Sequence, residues 1–216
     1  MTDFAELRAD MVERQIAGRG IRNAALLEAM RYVPREEFVA AAERDRAYGD
    51  YPLPIGSGQT ISQPYIVALM IEAANIGPGD RVLEVGAGSG YAAALIGRLA
   101  AQVIAVERKP ELAAAARERL SRLGFANVSI VEADGSCGWP DEAPFDAVLV
   151  AASGAHVPDP LIDQLAPGGR LVMPVGRQNW SQRLVKVTKL ADGETRRDTL
   201  GEVRFVPLIG QQGWSE

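Results

Sequence analysis

The 216-residue sequence predicts a doubly wound α/β domain, and three observations predict it. From Arg81 onward, the runs RVLEV, QVIAVE, VSIVEAD, FDAVLVA and GRLVMPV are apolar on both faces, and stretches of helical periodicity separate most of them. That alternation is the pattern of a parallel sheet covered by helices on each side. The first run enters the turn Gly86-Ala87-Gly88-Ser89-Gly90 and then a helical pattern, and the second run ends in an acid, Glu107. With 47% hydrophobic and 24% charged residues, the chain suits one globular domain, of a size that buries about 70% of its unfolded surface.

Each element follows in order. Phe4, Leu7, Met11 and Ile16 recur at helical spacing, and Ala25, Leu26, Ala29 and Met30 repeat the pattern, so residues 2–63 open as a helical cap. The stretch YGDYPLPIGSGQTISQP, Tyr48 to Pro64, is rich in proline and glycine and predicts an ordered loop rather than an element. A loop of that length points to function. Pro64 suits a first helical position, and IVALMIEAANI carries an apolar face to the turn Gly77-Pro78-Gly79. Helices are predicted from Tyr91 to Leu99 and from Leu112 to Leu123, and PLIDQL lies between the last two runs. Beyond Gly176, RLVKVTKL and VRFVPLI predict an antiparallel pair closing the sheet edge. Residues 1–216 therefore divide into a cap and loop (1–63), an α/β core (64–176) and C-terminal strands (177–216), with no internal repeat or linker.

Several function classes are disfavoured. One cysteine, Cys137, and one histidine, His156, leave no disulfide, no cysteine cluster and no set of zinc ligands, so no metal is expected. The net charge of −5 and the absence of a long basic run argue against a nucleic-acid surface. No apolar run is long enough to span a membrane and the start, MTDFAELRAD, lacks a signal pattern, so a cytoplasmic protein is expected. Trp139, Trp180 and Trp214 are too scattered for a base-stacking platform.

The strand–glycine turn–helix context presents backbone N–H groups and a helix start to a ligand, and Glu107 stands 21 positions after Gly86, where an acid accepts ribose hydroxyls. Two details favour S-adenosylmethionine over a dinucleotide. Tyr91 occupies the position where the dinucleotide fingerprint wants a third small residue, and Glu84 would sit near a pyrophosphate and repel it. A carboxylate instead suits the ammonium and sulfonium cations of S-adenosylmethionine. Asp134-Gly135 ends the third run, in position for an adenine amine, so Glu84, Glu107 and Asp134 form a predicted cation-and-nucleoside site.

These residues carry a resemblance. MVERQIAGRGI, AMRYVPREEFV, AYGDYPLPIGSGQTISQPYIVALM, VLEVGAGSGYAAALI, EADGSCGWP, PFDAVLV, LIDQLAPGGRLVMPVG and RFVPL resemble, in order and spacing, the protein-L-isoaspartate O-methyltransferases over nearly the whole chain. The resemblance implies a Rossmann-like class I methyltransferase sheet. It implies methyl transfer from S-adenosylmethionine to the α-carboxylate of L-isoaspartyl residues in damaged proteins and peptides, yielding S-adenosylhomocysteine and an ester that closes to a succinimide. It also implies cofactor contacts at Thr60, Ile61, Glu84, Gly86, Ala87, Gly88, Ser89, Gly90, Glu107, Asp134 and Gly135, an active-site serine at Ser62, and an extended substrate against Ile61, Ser62, Val206 and Ile209. A monomer is expected. The chain departs from the family pattern at Ala151 to Pro158, AASGAHVP, where relatives show a threonine–alanine-rich stretch.

The chemistry is compatible with so few titratable side chains. A carboxylate nucleophile is ionised at neutral pH, with a pKa near about 4, and needs no general base. It needs in-line placement and exclusion of water, which a closing loop supplies. Ser62 can donate a hydrogen bond to one carboxylate oxygen; the other reading of Ser62 is an ordinary helix-capping hydroxyl. Asp50 reads either as an Asx turn before Pro52 or as a loop-closure contact. His156 and Cys137 read as loop residues, and Arg35, Arg44 and Arg46 are candidates for a positive approach to the anionic substrate. Two other functions fit the same motifs: methylation of an aspartyl carboxylate in a dedicated peptide partner, and binding of damaged carboxylates without turnover. Hydride transfer is opposed by Tyr91 and Glu84.

Overall fold

The computed structural model describes residues 3–178 and 180–215. Met1, Thr2 and Glu216, at the two ends of the predicted domain, lie outside the described residues.

The N-terminal cap is built as the periodicity predicts. Helix α1 (Phe4–Asp10) starts at Asp3, whose carboxylate accepts the Ala5 and Glu6 N–H groups, and runs on through a π-helical stretch, Met11–Ile16. Helix α2 (Ala24–Tyr32) is capped by Asn23 in the same way. The prolyl-glycyl stretch that follows is more ordered than a loop. It forms a short hairpin, β1 (Leu53–Gly56) and β2 (Gln59–Ile61), turned by Ser57 and Gly58, both at positive φ. Prolines at the edge of a two-stranded ribbon remove no ladder bond that a larger sheet would need, so the composition hid the strands.

Helix α3 (Pro64–Ala74) begins on proline and ends at Asn75 in the left-handed region. The core then alternates β3 (Arg81–Val85), α4 (Tyr91–Gly97), β4 (Gln102–Glu107), α5 (Pro110–Arg122), β5 (Val128–Glu132), β6 (Phe145–Val150), α6 (Asp159–Asp163) and β7 (Leu165–Val175). Strands β8 (Gln182–Lys189) and β9 (Thr195–Val203) complete a seven-stranded sheet of order β5-β4-β3-β6-β7-β8-β9, parallel through β7 and antiparallel after it.

Alternate residues of the central strands feed two cores. Val82, Val103, Ala105, Ala147 and Leu149 pack with the cap, α3, α4 and α5, whereas Leu83, Val85, Ile104, Val106, Val148 and Val150 pack beneath α6 and the C-terminal segment. The predicted C-terminal pair exists, but its second strand is Thr195–Val203 rather than VRFVPLI. Edge strand β9 carries mostly exposed polar residues, so it lacks the apolar alternation that marks a strand in sequence. The apolar Phe205 to Ile209 instead leave the sheet as a strap across its C-terminal edge, bridging to Ser153 and Trp214.

Candidate active site

The direction of winding reverses between β3 and β6, and a cleft of about 1000 Å³, its open mouth included, lies where the C-terminal ends of β3, β4 and β6 meet. That is where a doubly wound sheet leaves a crevice between its two sets of crossovers. Of the sequence-predicted residues, Thr60, Ile61, Ser62, Glu84, Gly86, Ala87, Gly88, Ser89, Glu107, Gly135, Val206 and Ile209 line it.

The glycine turn works differently from a phosphate loop. Gly86, Gly88 and Gly90 all take positive φ, which explains their spacing. Their N–H groups, however, face inward: Gly86 and Ala87 donate to Val106 O at 2.8 and 3.1 Å, Gly90 to Ala87 O at 2.8 Å, and Gly88 to Glu107 Oε2 at 2.8 Å. The prediction that these groups are presented to a ligand is therefore corrected. The turn presents a carboxylate in their place. Glu107 also accepts the Lys109 N–H at 2.9 Å, so both of its oxygens are anchored, each with a lone pair left for a hydroxyl.

Glu84 is 2% exposed, and its Oε2 has no hydrogen-bond partner among the described residues. Burial first, and then the negative charge of Glu107, push its carboxyl up to about 8. A buried carboxylate oxygen without a donor is costly unless something arrives to compensate it. Two acids lining one apolar cleft fit a ligand that brings its own positive charge and a pair of hydroxyls, and they oppose a pyrophosphate.

Two predicted contacts lie elsewhere. Gly90 is the N-cap of α4 and packs on α5, where an added Cβ would meet Leu120 Cδ1 at 3.2 Å; it shapes the turn without lining the cleft. Asp134 is likewise absent from the lining. Its Oδ1 accepts the Ser136 N–H at 2.9 Å and its Oδ2 the Gln211 N–H at 2.8 Å, so in the described structure it ties the C-terminal strap to the end of β5. Burial opposes ionisation of Asp134, but the Gln211 N–H, the Ser136 hydroxyl and N–H and the charge of Arg108 together outweigh it and hold the carboxyl below its ordinary value.

A second groove adjoins the first and shares Thr60, Ser62, Ala151, Phe205 and Val206 with it; Pro52, Gln63, Ile66, Arg204 and the acid Glu202 are among its other walls. Ser62 is thus common to both. It precedes Gln63, the N-cap residue of α3, and makes no side-chain cap bond there, so the capping reading does not hold. Asp50 proves to be a closure contact: its Oδ2 accepts from Arg19 at 2.6 Å and from Gln63 at 2.8 Å. The three arginines proposed as a positive approach are otherwise employed. Arg44 pairs with Glu37 and Arg46 with Glu43, while Arg35 is fully buried beneath the loop. The exposed cation at the groove is Arg204, and the reading of the sequence did not single it out.

A family model for protein-L-isoaspartate(D-aspartate) O-methyltransferase matches residues 6–213. The chain belongs to this family. It is 55% identical to protein-L-isoaspartate O-methyltransferase 1 of Rhodopseudomonas palustris strain HaA2, over 99% of this chain and 87% of that one. It is also 55% identical to the Koribacter versatilis protein-L-isoaspartate O-methyltransferase, over 100% and 96%. Among solved structures, a protein-L-isoaspartate O-methyltransferase superposes with a TM-score of 0.86 at 29% identity, covering 95% of this chain and 67% of that one. A Plasmodium falciparum family member in complex with S-adenosyl-L-homocysteine gives a TM-score of 0.80 at 28% identity, over 94% and 98%.

Within this methyltransferase family the departure at Ala151 to Pro158 is structurally mild. Ser153 is buried; its N–H donates to Val206 O at 2.8 Å and its hydroxyl to the same oxygen at 3.3 Å, while its carbonyl accepts from Leu208 N at 2.8 Å and Trp214 Nε1 at 3.0 Å. Ala151 and Ala152 line the cleft, and His156 is exposed, as a loop residue should be. Tyr91, Ala92, Met70, Ile71 and Phe205 also line the cleft. The sequence reading did not place them at the site, because nothing local separates a cleft-lining apolar residue from a core one. No group of three His, Cys, Asp or Glu that could hold a metal ion occurs among the described residues.

Proposed function

We infer that the protein is a protein-L-isoaspartate O-methyltransferase that uses S-adenosylmethionine to esterify the α-carboxylate of L-isoaspartyl residues in damaged proteins and peptides. The observation that carries this reading is a pair of grooves meeting at Ser62, one lined by the acids Glu84 and Glu107 and the other open at the surface. When bound, S-adenosylmethionine supplies a sulfonium-activated methyl group, which an ionised carboxylate oxygen takes as its ester, leaving S-adenosylhomocysteine with no proton to move.

The chain's own residues do the rest. Glu84 meets a cationic group with the oxygen that lacks a partner, and Glu107 accepts ribose hydroxyls. Thr60, Ile61, Gly86 to Ser89 and Gly135 shape the walls; an added Cβ at Gly135 would meet Val85 Cγ1 at 2.7 Å, so glycine keeps that wall thin. Ser62 is the catalytic contact: its hydroxyl holds one oxygen of the substrate carboxylate and leaves the other to attack. Ile61, Val206 and Ile209 border an extended peptide, and Arg204 offers it a positive approach. Residues 1–216 act as one domain, a cap and loop over the substrate, a core for the cofactor, and C-terminal strands with a strap. The protein acts as a monomer, without nucleic acid. No helix among the described residues is long and apolar enough to cross a membrane, which is compatible with a cytoplasmic site of action.

The test is methyl ester formation on two synthetic peptides that differ only in whether one aspartate is linked through its α- or its β-carboxyl. Esterification confined to the isoaspartyl form is the expected result. Equal esterification of both forms, or of the aspartyl form alone, would move the activity to a dedicated aspartyl partner, and binding of peptide and cofactor without product would leave a recognition protein.

A further inference from the structure

Arg35 is the largest fully buried side chain of the described residues, at 0% exposure; no carboxylate among them pairs with it directly, and Asp50 is the acid whose charge favours its own. Its Nε donates to Ala47 O at 2.8 Å and its Nη2 donates to Ser62 O at 2.8 Å. These two carbonyls stand at the two ends of the segment that carries the β1–β2 hairpin, so one planar guanidinium clamps both ends at once. Its Nη1 has no hydrogen-bond partner among the described residues, and its central carbon lies 4.8 Å from the centre of the ring of Tyr91, whose hydroxyl likewise has none and whose proximity favours the cation.

Two neutral donors would satisfy two carbonyls without the cost of burying a cation, so the charge itself calls for a reason. The groove above it is read as receiving an anion at Ser62. We propose that Arg35 is a positioning residue for methyl transfer, clamping Ser62 through its carbonyl while its buried positive charge draws the isoaspartyl carboxylate to that residue. The proposal rests on the functional reading above. A charge behind a wall of protein is screened less than one in solvent, and so acts on a carboxylate it does not touch. The clamp matters because a displacement of about 1 Å at a transfer site costs roughly 100-fold in rate.

The test compares wild type, Arg35→Lys and Arg35→Gln in steady-state esterification of an isoaspartyl peptide. It adds the affinities of three ligands: that peptide and its uncharged isoasparaginyl counterpart, each in the presence of S-adenosylhomocysteine, and S-adenosylhomocysteine alone. Arg35→Gln is expected to weaken the carboxylate peptide about tenfold, the scale of one charge-assisted interaction, while the amide peptide and S-adenosylhomocysteine change less than about twofold. Arg35→Lys keeps the charge but not the two-pronged fork, so it should restore carboxylate affinity while kcat stays about tenfold low. Equal weakening of both peptides, or no change in either, overturns the proposal. Should Arg35→Gln not fold, Arg35→Lys decides alone: kcat lowered at unchanged S-adenosylhomocysteine affinity supports the assignment, and unchanged kcat overturns it. A wild type that fails to esterify the isoaspartyl peptide would instead overturn the functional reading, and the proposal with it.

Discussion

Asp134 at the end of the third core strand accepts the backbone N–H of Gln211 at 2.8 Å, joining two positions 77 residues apart. Ser136 Oγ accepts the Gln212 N–H at 3.0 Å beside it. Phe205 to Ile209, which line the cleft, are thereby held between Ser153 on one side and Asp134 on the other. The strap is ordered by side chains and carbonyls that follow β5 and β6, beside the cleft.

Asp134→Ala is therefore expected to loosen the strap. Amide hydrogen exchange over residues 206–212 should quicken by about tenfold or more, since the lost bonds are to a charged acceptor, and KM for an isoaspartyl peptide should rise. Unchanged exchange in that segment would show that the Ser153 contacts alone order it. Because the Asp134 carboxyl is held below its ordinary value, its contribution to stability is present above that value and fades as pH falls through the folded one.

Glu84 should make cofactor binding depend on pH. With its carboxyl pushed up to about 8, the free protein holds this group protonated near neutral pH, and a cationic ligand favours the ionised form. Binding of S-adenosylmethionine at about pH 7 is expected to release on the order of one proton, and affinity should climb from about pH 6 to about pH 8 and then level off. Calorimetry in buffers of different ionisation heat measures this directly, and pH-independent binding would contradict it.

Replacing that same acid should trade function for stability. A glutamate whose folded pKa lies above its ordinary 4.5 lowers stability progressively as pH rises from there to about 8. Glu84→Gln is expected to melt about 3 °C or more above wild type at pH 8 without ligand, with S-adenosylmethionine affinity reduced roughly 100-fold. Thermal melts with and without ligand check both signs.

Glu107→Ala should do the opposite to stability. It leaves the Gly88 and Lys109 N–H groups without their acceptor, a loss of about 1–3 kcal/mol for each group that stays buried. The variant should melt several degrees lower and bind S-adenosylhomocysteine too weakly to measure at micromolar concentration. A normal melting temperature would show that water replaces the carboxylate freely.

Ser62→Ala is expected to lower turnover by roughly 10- to 1,000-fold, the range for one oriented donor, with S-adenosylhomocysteine affinity within about twofold of wild type. Rate and binding measured on one preparation separate these effects. Near-normal turnover would remove Ser62 from the mechanism.

The sequence by itself determined the order of strands and helices, the place of the glycine turn, and the acids Glu84 and Glu107, because periodicity, positive-φ demands and strand-end positions are local properties of the chain. It also carried the family, whose matching stretches run the length of the molecule. It did not determine that the turn's N–H groups bind Val106 and Glu107 rather than a ligand, that Asp134 holds Gln211, or that Arg35 lies buried under Ser62 instead of facing the substrate. It hid the β1–β2 hairpin behind prolines and strand β9 behind exposed polar residues. The contacts of the turn, of Asp134 and of Arg35 depend on which donor finds which acceptor across 19 to 77 positions of chain. Such pairings are decided only when the packed sheet brings the partners together and removes the water that would otherwise satisfy them.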